Sequence, residues 1–299
     1  MASQLIRSEG NIKIWSLLGS GDSARIEAML RLYAELLPQY AHYVPRLRRR
    51  AESGEDCRPG HIVHYWLLEV DGQPAAFHTF RYVQERRVGL AHALAVKPAY
   101  RTVYVCWQPL SMYLLHACLD QILIDAKRLG DEFTYGVVNE VEPTHLMDHY
   151  MGHGILELPL AYVKPVFPLE QAGRTRAEEI ALAHFVPMFL GILPDATRGI
   201  PFYSSDLITN FALAFLVDHY GLPIEHRQVQ SVLSSIPAVF RKTELSVPGI
   251  NSLQFPDQPI PVEGNRAGSA GMLHEVSSHL AAATRPHRGT TASLRTSNY

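Results

Sequence analysis

The sequence predicts an α/β domain, a central mixed sheet flanked by helices, with an α-helical extension at its C-terminal end. Three observations point there. Residues 89–98 read as a strand that turns into a long helix stopping at Gly130. Residues 61–70 and 75–83 alternate in polarity around Asp71-Gly72, the favoured type I′ hairpin pair, so they form two antiparallel strands leading into the first. Residues 131–139 follow the long helix and hold the apolar run 133–138, which should return parallel beside the strand ending at Pro98.

In chain order, residues 12–15 supply a first short strand. Ile26, Met29, Leu30, Tyr33, Leu36 and Leu37 then fall on one helical face, and Pro38 stops that run. A shorter helix carries Tyr40, Tyr43 and Leu47 and ends in the basic run 46–50. That run reads either as a solvated helix end that suits the macrodipole or as a dock for an acidic partner or phosphates. In the central strand, Leu90, His92, Leu94 and Val96 alternate with Ala91, Ala93 and Ala95, which predicts one bulky face and one of alanine.

Pro98 ends this strand, because it cannot donate to a sheet ladder, and Pro109 suits the first turn of the helix. Leu115, Cys118, Ile122, Ala126 and Leu129 form the helix's apolar stripe, with Lys127 and Arg128 in its last turn. A strand feeding a loop and a helix N-terminus is a ready anion site. Two parallel strands that part at their C-terminal ends leave a crevice, where ligands of open α/β sheets bind.

Further on, residues 143–153 read as a helix with Gly154 as its cap, and 156–167 as closing strands. Helices are expected over 174–193, 206–220 and 224–241. The middle one is apolar nearly all round, so it must be buried against the core, a second subunit or an apolar ligand. Residues after 246 are rich in Pro, Gly, Ser, Thr and Arg and read as a mostly disordered tail. The expected division is 1–168, 169–245 and 246–299.

Composition narrows the classes. The formal net charge of −2 gives no basic field for nucleic acid. The longest apolar runs are broken by Pro187 and Asn210, so no membrane span is expected, and residues 6–15 mix charged and polar groups unlike a signal peptide. Cys57, Cys106 and Cys118 are odd in number and lack metal-ligand spacing, so a reducing cytoplasm is the economical reading.

Two local motifs carry a resemblance. Residues 96–101, Val-Lys-Pro-Ala-Tyr-Arg, are similar to the V-x-P-x-Y-R segment of the GCN5-related N-acetyltransferase (GNAT) superfamily, which leads into its coenzyme A pyrophosphate loop. Residues 149–155 resemble its L-Y-E-K-L-G-F segment, with Tyr150 and Gly154 on the tyrosine and glycine. Together with the order of elements, the resemblance covers roughly 12–167. It implies direct attack of an amine on an acyl thioester, with acyl-CoA or an acyl carrier protein as donor substrate and no permanently bound cofactor. It extends to fatty acylation of a peptide or amino acid in a secondary-metabolite pathway.

The same resemblance implies site residues. A backbone N–H at Leu94 or its neighbours polarises the thioester carbonyl, and pantetheine amides pair near Val96. His92 is the first candidate for base, with Glu140 and Asn139 second, and Tyr150 protonates the leaving sulfur. Arg101, Thr102, Val103, Tyr104, Val105 and Cys106 stand where the donor's phosphates bind. Tyr104 and Cys106 replace the loop glycines of the family's R-x-x-G-x-G, so the loop holds coenzyme A less closely or differently.

Each candidate has a bland alternative. His92 reads equally as a hydrogen-bonded core histidine, Tyr150 as packing, and Asn139 and Glu140 as caps of the following helix. His145, His149 and His153 share a helical face, but no acidic third ligand accompanies them and no metal is expected. A nucleophilic Cys57 or Cys106 is a rival chemistry, a non-catalytic binding protein for a peptide or carrier domain a rival class, and a homodimer through the helical extension an expected partner.

Overall fold

Half-exposed edge residues open the fold. In the computed structural model, which describes residues 3–54, 58–144, 146–168, 174–195 and 203–237, β1 (Gln4–Glu9) pairs antiparallel with β2 (Ile12–Ser16). The sequence reading lacked β1, because an edge strand with neither face buried shows no alternation. Next come α1 (Ser23–Leu36), capped by the Asp22 carboxylate, a 3-10 turn (Pro38–Tyr43) and α2 (Val44–Ser53). Then follow β3 (His61–Val70), β4 (Gln73–Val83) and β5 (Val88–Val96). Asp71 and Gly72 take φ of 52° and 73°, the type I′ conformation their sequence favours.

A small hairpin, β6 (Tyr104–Val105) and β7 (Gln108–Pro109), precedes α3 (Leu110–Arg128). Beyond it lie β8 (Gly136–Val141), α4 (Leu146–Met151), β9 (Leu156–Glu157), β10 (Val163–Val166), α5 (Arg176–Ala181), β11 (His184–Pro187) and β12 (Phe189–Pro194). The described chain closes with α6 (Ser205–Leu213), a π-helical turn (Ala214–His219) and α7 (Arg227–Ser235).

The central mixed sheet flanked by helices is present, with eight strands in the order β1-β2-β3-β4-β5-β8-β12-β9. As expected, β3, β4 and β5 are antiparallel, and β8 returns by way of α3 to lie parallel to β5. Gly136 opens β8 at φ +124°, where a Cβ would lie 2.2 Å from the Leu193 carbonyl oxygen, so the strand begins later than the apolar run at 133 suggests.

Two expectations are corrected. The stretch 174–193 is not one helix: it holds only the short α5 and then the strands β11 and β12, and β12 is an interior strand of the sheet although it lies beyond residue 168. Aromatic and branched residues interrupted by Pro187 and Gly191 suit strands better than a helix interior. The described residues all fall within one compact unit, 1–245; the expected tail, 246–299, lies outside the described residues.

The apolar helix needs no partner subunit. Ile208, Phe211, Phe215 and Leu216 are buried in one cluster with Leu90 of β5, Val138 of β8 and Ile192 of β12, so this chain covers the face that suggested a homodimer. No helix among the described residues is long and apolar enough to cross a membrane.

The second correction concerns β5 itself. Its register with β4 pairs Thr79 with Ala93 and Phe80 with Ala91, leaving His92 as the extra residue of a β-bulge. The bulge inverts the parity of the strand. Leu90 belongs to the cluster with α6, whereas Leu94 and Val96 pack into the cluster under α3, and Ala93 and Ala95 turn toward α1. The predicted single bulky face therefore does not exist.

Candidate active site

β5 and β8 pair in parallel over residues 89–91 and 137–139 and then separate. The parting opens a cleft of about 530 Å³, lined by Ala91 to Val96 of β5, the first turn of α3, and α4. That size suits a small-molecule ligand. The Lys97 N–H donates to the Ala75 carbonyl at 2.9 Å, on the β4 side. Alternate residues of an antiparallel strand direct their N–H groups to opposite edges, so Val96 and Leu94 present theirs to the cleft edge that β8 has left. On that edge the Val96 carbonyl accepts from Arg101 Nε at 3.2 Å, which folds the guanidinium of Arg101 along the cleft wall.

The segment after Arg101 is not an open cradle. The Val103 N–H is taken by the Tyr100 carbonyl at 3.1 Å, and Tyr104 and Val105 are a strand paired with Pro109 and Gln108. Cys106 and Trp107 form the tip at φ of 47° and 67°. Thr102, Val103, Tyr104, Val105 and Cys106, expected around the donor's phosphates, do not line this cleft. With side chains in place of two glycines, the backbone closes on itself as a two-residue hairpin.

His92 stands in the cleft wall, but not as a free base. Its Nε2 accepts from Arg81 Nε at 3.1 Å, so the neutral ring carries its proton on Nδ1. Burial, and then the charges of Arg81 and Arg50, push its pKa well below the ordinary imidazole value. Its other face stacks on His219. The bulge directs the side chain there.

Glu140 is not a free base either. Its side chain is only 1% exposed; Tyr162 donates to Oε1 at 2.5 Å, Tyr220 to Oε2 at 2.6 Å, and Lys164 Nζ lies 3.1 Å from Oε2. Burial pulls Lys164 down, but Glu140 and the Tyr40 ring beside it more than offset this and its pKa is raised. Asn139 donates to the Val137 carbonyl at 3.1 Å, so it does not cap the helix that follows.

Tyr150 lines the cleft with its hydroxyl paired to Ser111 in the first turn of α3; burial pushes its pKa up to about 12, so it remains a protonated phenol. Of the three spaced histidines, His149 lines the cleft and packs on Tyr150 and His153, while His145 lies outside the described residues. Cys106, exposed at the hairpin tip, does not line this cleft; Cys57 lies outside the described residues.

Sequence reasoning missed Arg81, Tyr162, Lys164, His219 and Tyr220. Arg81 and Lys164 did carry a signal: each is the one Lys or Arg of its strand, where burial demands a partner. Nothing local marks His219 and Tyr220, which the π-helical turn delivers from far along the chain.

No protein-family model matches this chain, and no curated protein matches it. Among solved structures it is similar to an acetyltransferase of the GNAT family from Bacteroides thetaiotaomicron, at 16% identity, with 70% of this chain and 99% of that one covered and a TM-score of 0.39. It is also similar to the ribosomal-protein-S18-alanine N-acetyltransferase of Escherichia coli, at 17% identity over 64% and 99% of the two chains, with a TM-score of 0.36. A third is the acetyltransferase of Salmonella typhimurium that modifies the N-terminal serine of ribosomal protein L7/L12, at 13% identity over 63% and 99%, with a TM-score of 0.38.

Proposed function

We propose that the chain is an N-acyltransferase, moving an acyl group from a pantetheine thioester to an amine. The observation that carries this reading is the splayed edge of β5, where Leu94 and Val96 turn backbone N–H groups into the cleft. An N–H donor fixed beside the thioester carbonyl stabilises the oxyanion of the tetrahedral intermediate, an effect worth roughly 3 kcal/mol per donor. The amine nitrogen forms the new C–N bond and the C–S bond breaks. The amine arrives deprotonated, and the N–H proton it then loses ends on the thiol sulfur, next to Tyr150, whose protonated phenol donates a hydrogen bond to the departing thiolate. An amine of ordinary pKa ~10.4 is mostly ammonium at neutral pH and gives that proton to solvent before it binds.

The hairpin at the head of α3 favours a pantetheine arm tethered to a carrier protein over free coenzyme A. A tethered arm carries one phosphate and no adenosine pyrophosphate, so it does not need the backbone cradle that the β6–β7 pairing closes. The same reading puts the enzyme in a reducing cytoplasm, where its buried Cys118 stays a thiol.

The test is incubation with acetyl-, medium- and long-chain thioesters of coenzyme A and of acyl carrier protein, following thermal stability, thiol release and amide formation by mass spectrometry. A donor at a hundred times its dissociation constant should stabilise the fold by roughly 2.7 kcal/mol, and thiol release should require an amine. If no thioester from either source stabilises the protein or yields an amide, the reading fails and a non-catalytic fold takes its place.

A further inference from the structure

His78 stands on β4 directly across from Leu94 of β5, and Thr79 across from Ala93. Just beyond these pairs the register shifts to admit the bulge at His92, and a bulge locally disrupts the ladder of the strand that carries it. Here a side chain joins the pairing. His78 Nδ1 donates to the Ala93 carbonyl at 3.0 Å, so the neutral ring carries its proton on Nδ1 and leaves Nε2 bare. The ring is wholly buried, 4.9 Å from that of Phe80, and Nε2 has no hydrogen-bond partner among the described residues. An apolar side chain would fill this place with no polar atom left over, so what the imidazole adds is its bond to β5.

That bond falls on a particular peptide. The Ala93 carbonyl and the Leu94 N–H belong to one planar trans unit and point in opposite directions, the carbonyl toward β4 and the N–H into the cleft. Fixing the oxygen therefore fixes the hydrogen. A donor on the carbonyl also draws electron density from the amide and strengthens its N–H as a hydrogen-bond donor.

We propose that His78 is a positioning residue: through the Ala93 carbonyl it holds and polarises the Leu94 N–H that faces the thioester carbonyl. The inference rests on the acyl-transfer reading of the cleft. His78 touches no reacting atom, and it acts on rate more than on donor binding, because the oxyanion gains its full charge only on the way through the transition state.

The test compares three variants. His78→Leu and His78→Met remove the donor, two being made so that misfolding of one leaves the comparison intact. His78→Asn keeps a donor, its side-chain amide standing where Nδ1 stood. A urea titration establishes that each is folded. The apolar variants should lower kcat roughly 20-fold, short of the roughly 100- to 1,000-fold cost of deleting such a donor outright, with the Kd of a non-hydrolysable thioester analogue nearly unchanged. His78→Asn should recover most of that rate although, as a polar group in an apolar site, it is the less stable substitution.

A second readout needs no turnover. In the free protein the Leu94 amide resonance, followed with isotope-labelled leucine, should shift in the apolar variants and return toward its wild-type place in His78→Asn. The ring is lost in all three, so its own magnetic effect is common to them. Wild-type kcat in the apolar variants, equal losses in all three, or one Leu94 resonance position shared by all three overturns the positioning role and leaves acyl transfer standing. If wild type forms no amide from any thioester, the acyl-transfer reading fails and the positioning role falls with it.

Discussion

The imidazole of His219 lies flat against that of His92, with ring centroids 3.9 Å apart and planes 21° from parallel. On the edge of this pair, Arg81 donates to His92 Nε2. Burial and the neighbouring cations push both rings well below the ordinary imidazole pKa, so both are neutral at neutral pH and each is a weak acceptor for a substrate's proton. His92→Ala should therefore lower turnover by a similar factor, about ten-fold, at every pH from 6 to 9. Recovery of activity toward high pH, where free amine is abundant, would return His92 to the role of base.

Tyr150 is a different case, since its phenol stays protonated in the cleft beside Ser111. Tyr150→Phe should reduce kcat by roughly 10- to 100-fold and leave the donor's Kd nearly unchanged, because the hydrogen bond it supplies forms as the sulfur departs. Calorimetry with a non-hydrolysable thioester analogue, run beside steady-state assays, separates the two. A parallel loss of affinity would show that the side chain packs the donor.

Glu140 ties three elements together, since Tyr162, Lys164 and Tyr220 converge on its carboxylate. Glu140→Gln leaves Lys164, whose side chain is 12% exposed, without its counter-charge, and should cost roughly 3–5 kcal/mol in a urea titration. The double change Glu140→Gln, Lys164→Met should recover much of that loss. If the single variant unfolds at the wild-type midpoint, the ion pair contributes nothing.

Acid stability follows from His78 on β4, which is fully buried, bonds the Ala93 carbonyl at 3.0 Å, and is pushed down by burial to about 4. Above pH 6.5 neither folded nor unfolded chain binds this proton. Between 6.5 and about 4 the unfolded chain binds it and the folded chain does not, so stability falls as pH falls, by roughly 1.4 kcal/mol per unit and roughly 3 kcal/mol in all. His92 and His219 act in the same direction. His78→Leu should flatten the slope of stability against pH in that window; an unchanged slope would mean that His78 takes up its proton while folded.

Trp107, 96% exposed, occupies a tip position at φ +67° that favours glycine. Trp107→Gly should stabilise the protein by about 1 kcal/mol, visible as a raised midpoint in the same titration. A fall in stability would mean that the ring packs against the body.

The sequence by itself determined the parts of this fold that rest on local physics. Asp71-Gly72 dictated a hairpin, the stripe from Leu115 to Leu129 a helix, and the run after Gly130 a strand that returns parallel to β5, with the crevice that its parting leaves. That Tyr150, Leu94 and Val96 would meet at this crevice was legible because they sit in or beside short motifs, and all three line it.

Only the tertiary structure decided what faces what. Alternation could not reveal the bulge at His92, since an inserted residue changes register with β4 and not local pattern; that single residue moved His92 from the face of Leu94 and Val96 to the opposite one. The basic run of α2 read as a solvated end or a dock for an acidic partner, whereas the fold brings Arg46 and Arg50 to one small cavity with Arg81, Lys164 and Arg176. A strand at 189–194 read as helix because its partner, β8, lies some fifty residues earlier. Long-range pairing and the burial of charge depend on which distant residues meet, and no window of sequence contains both members of such a pair.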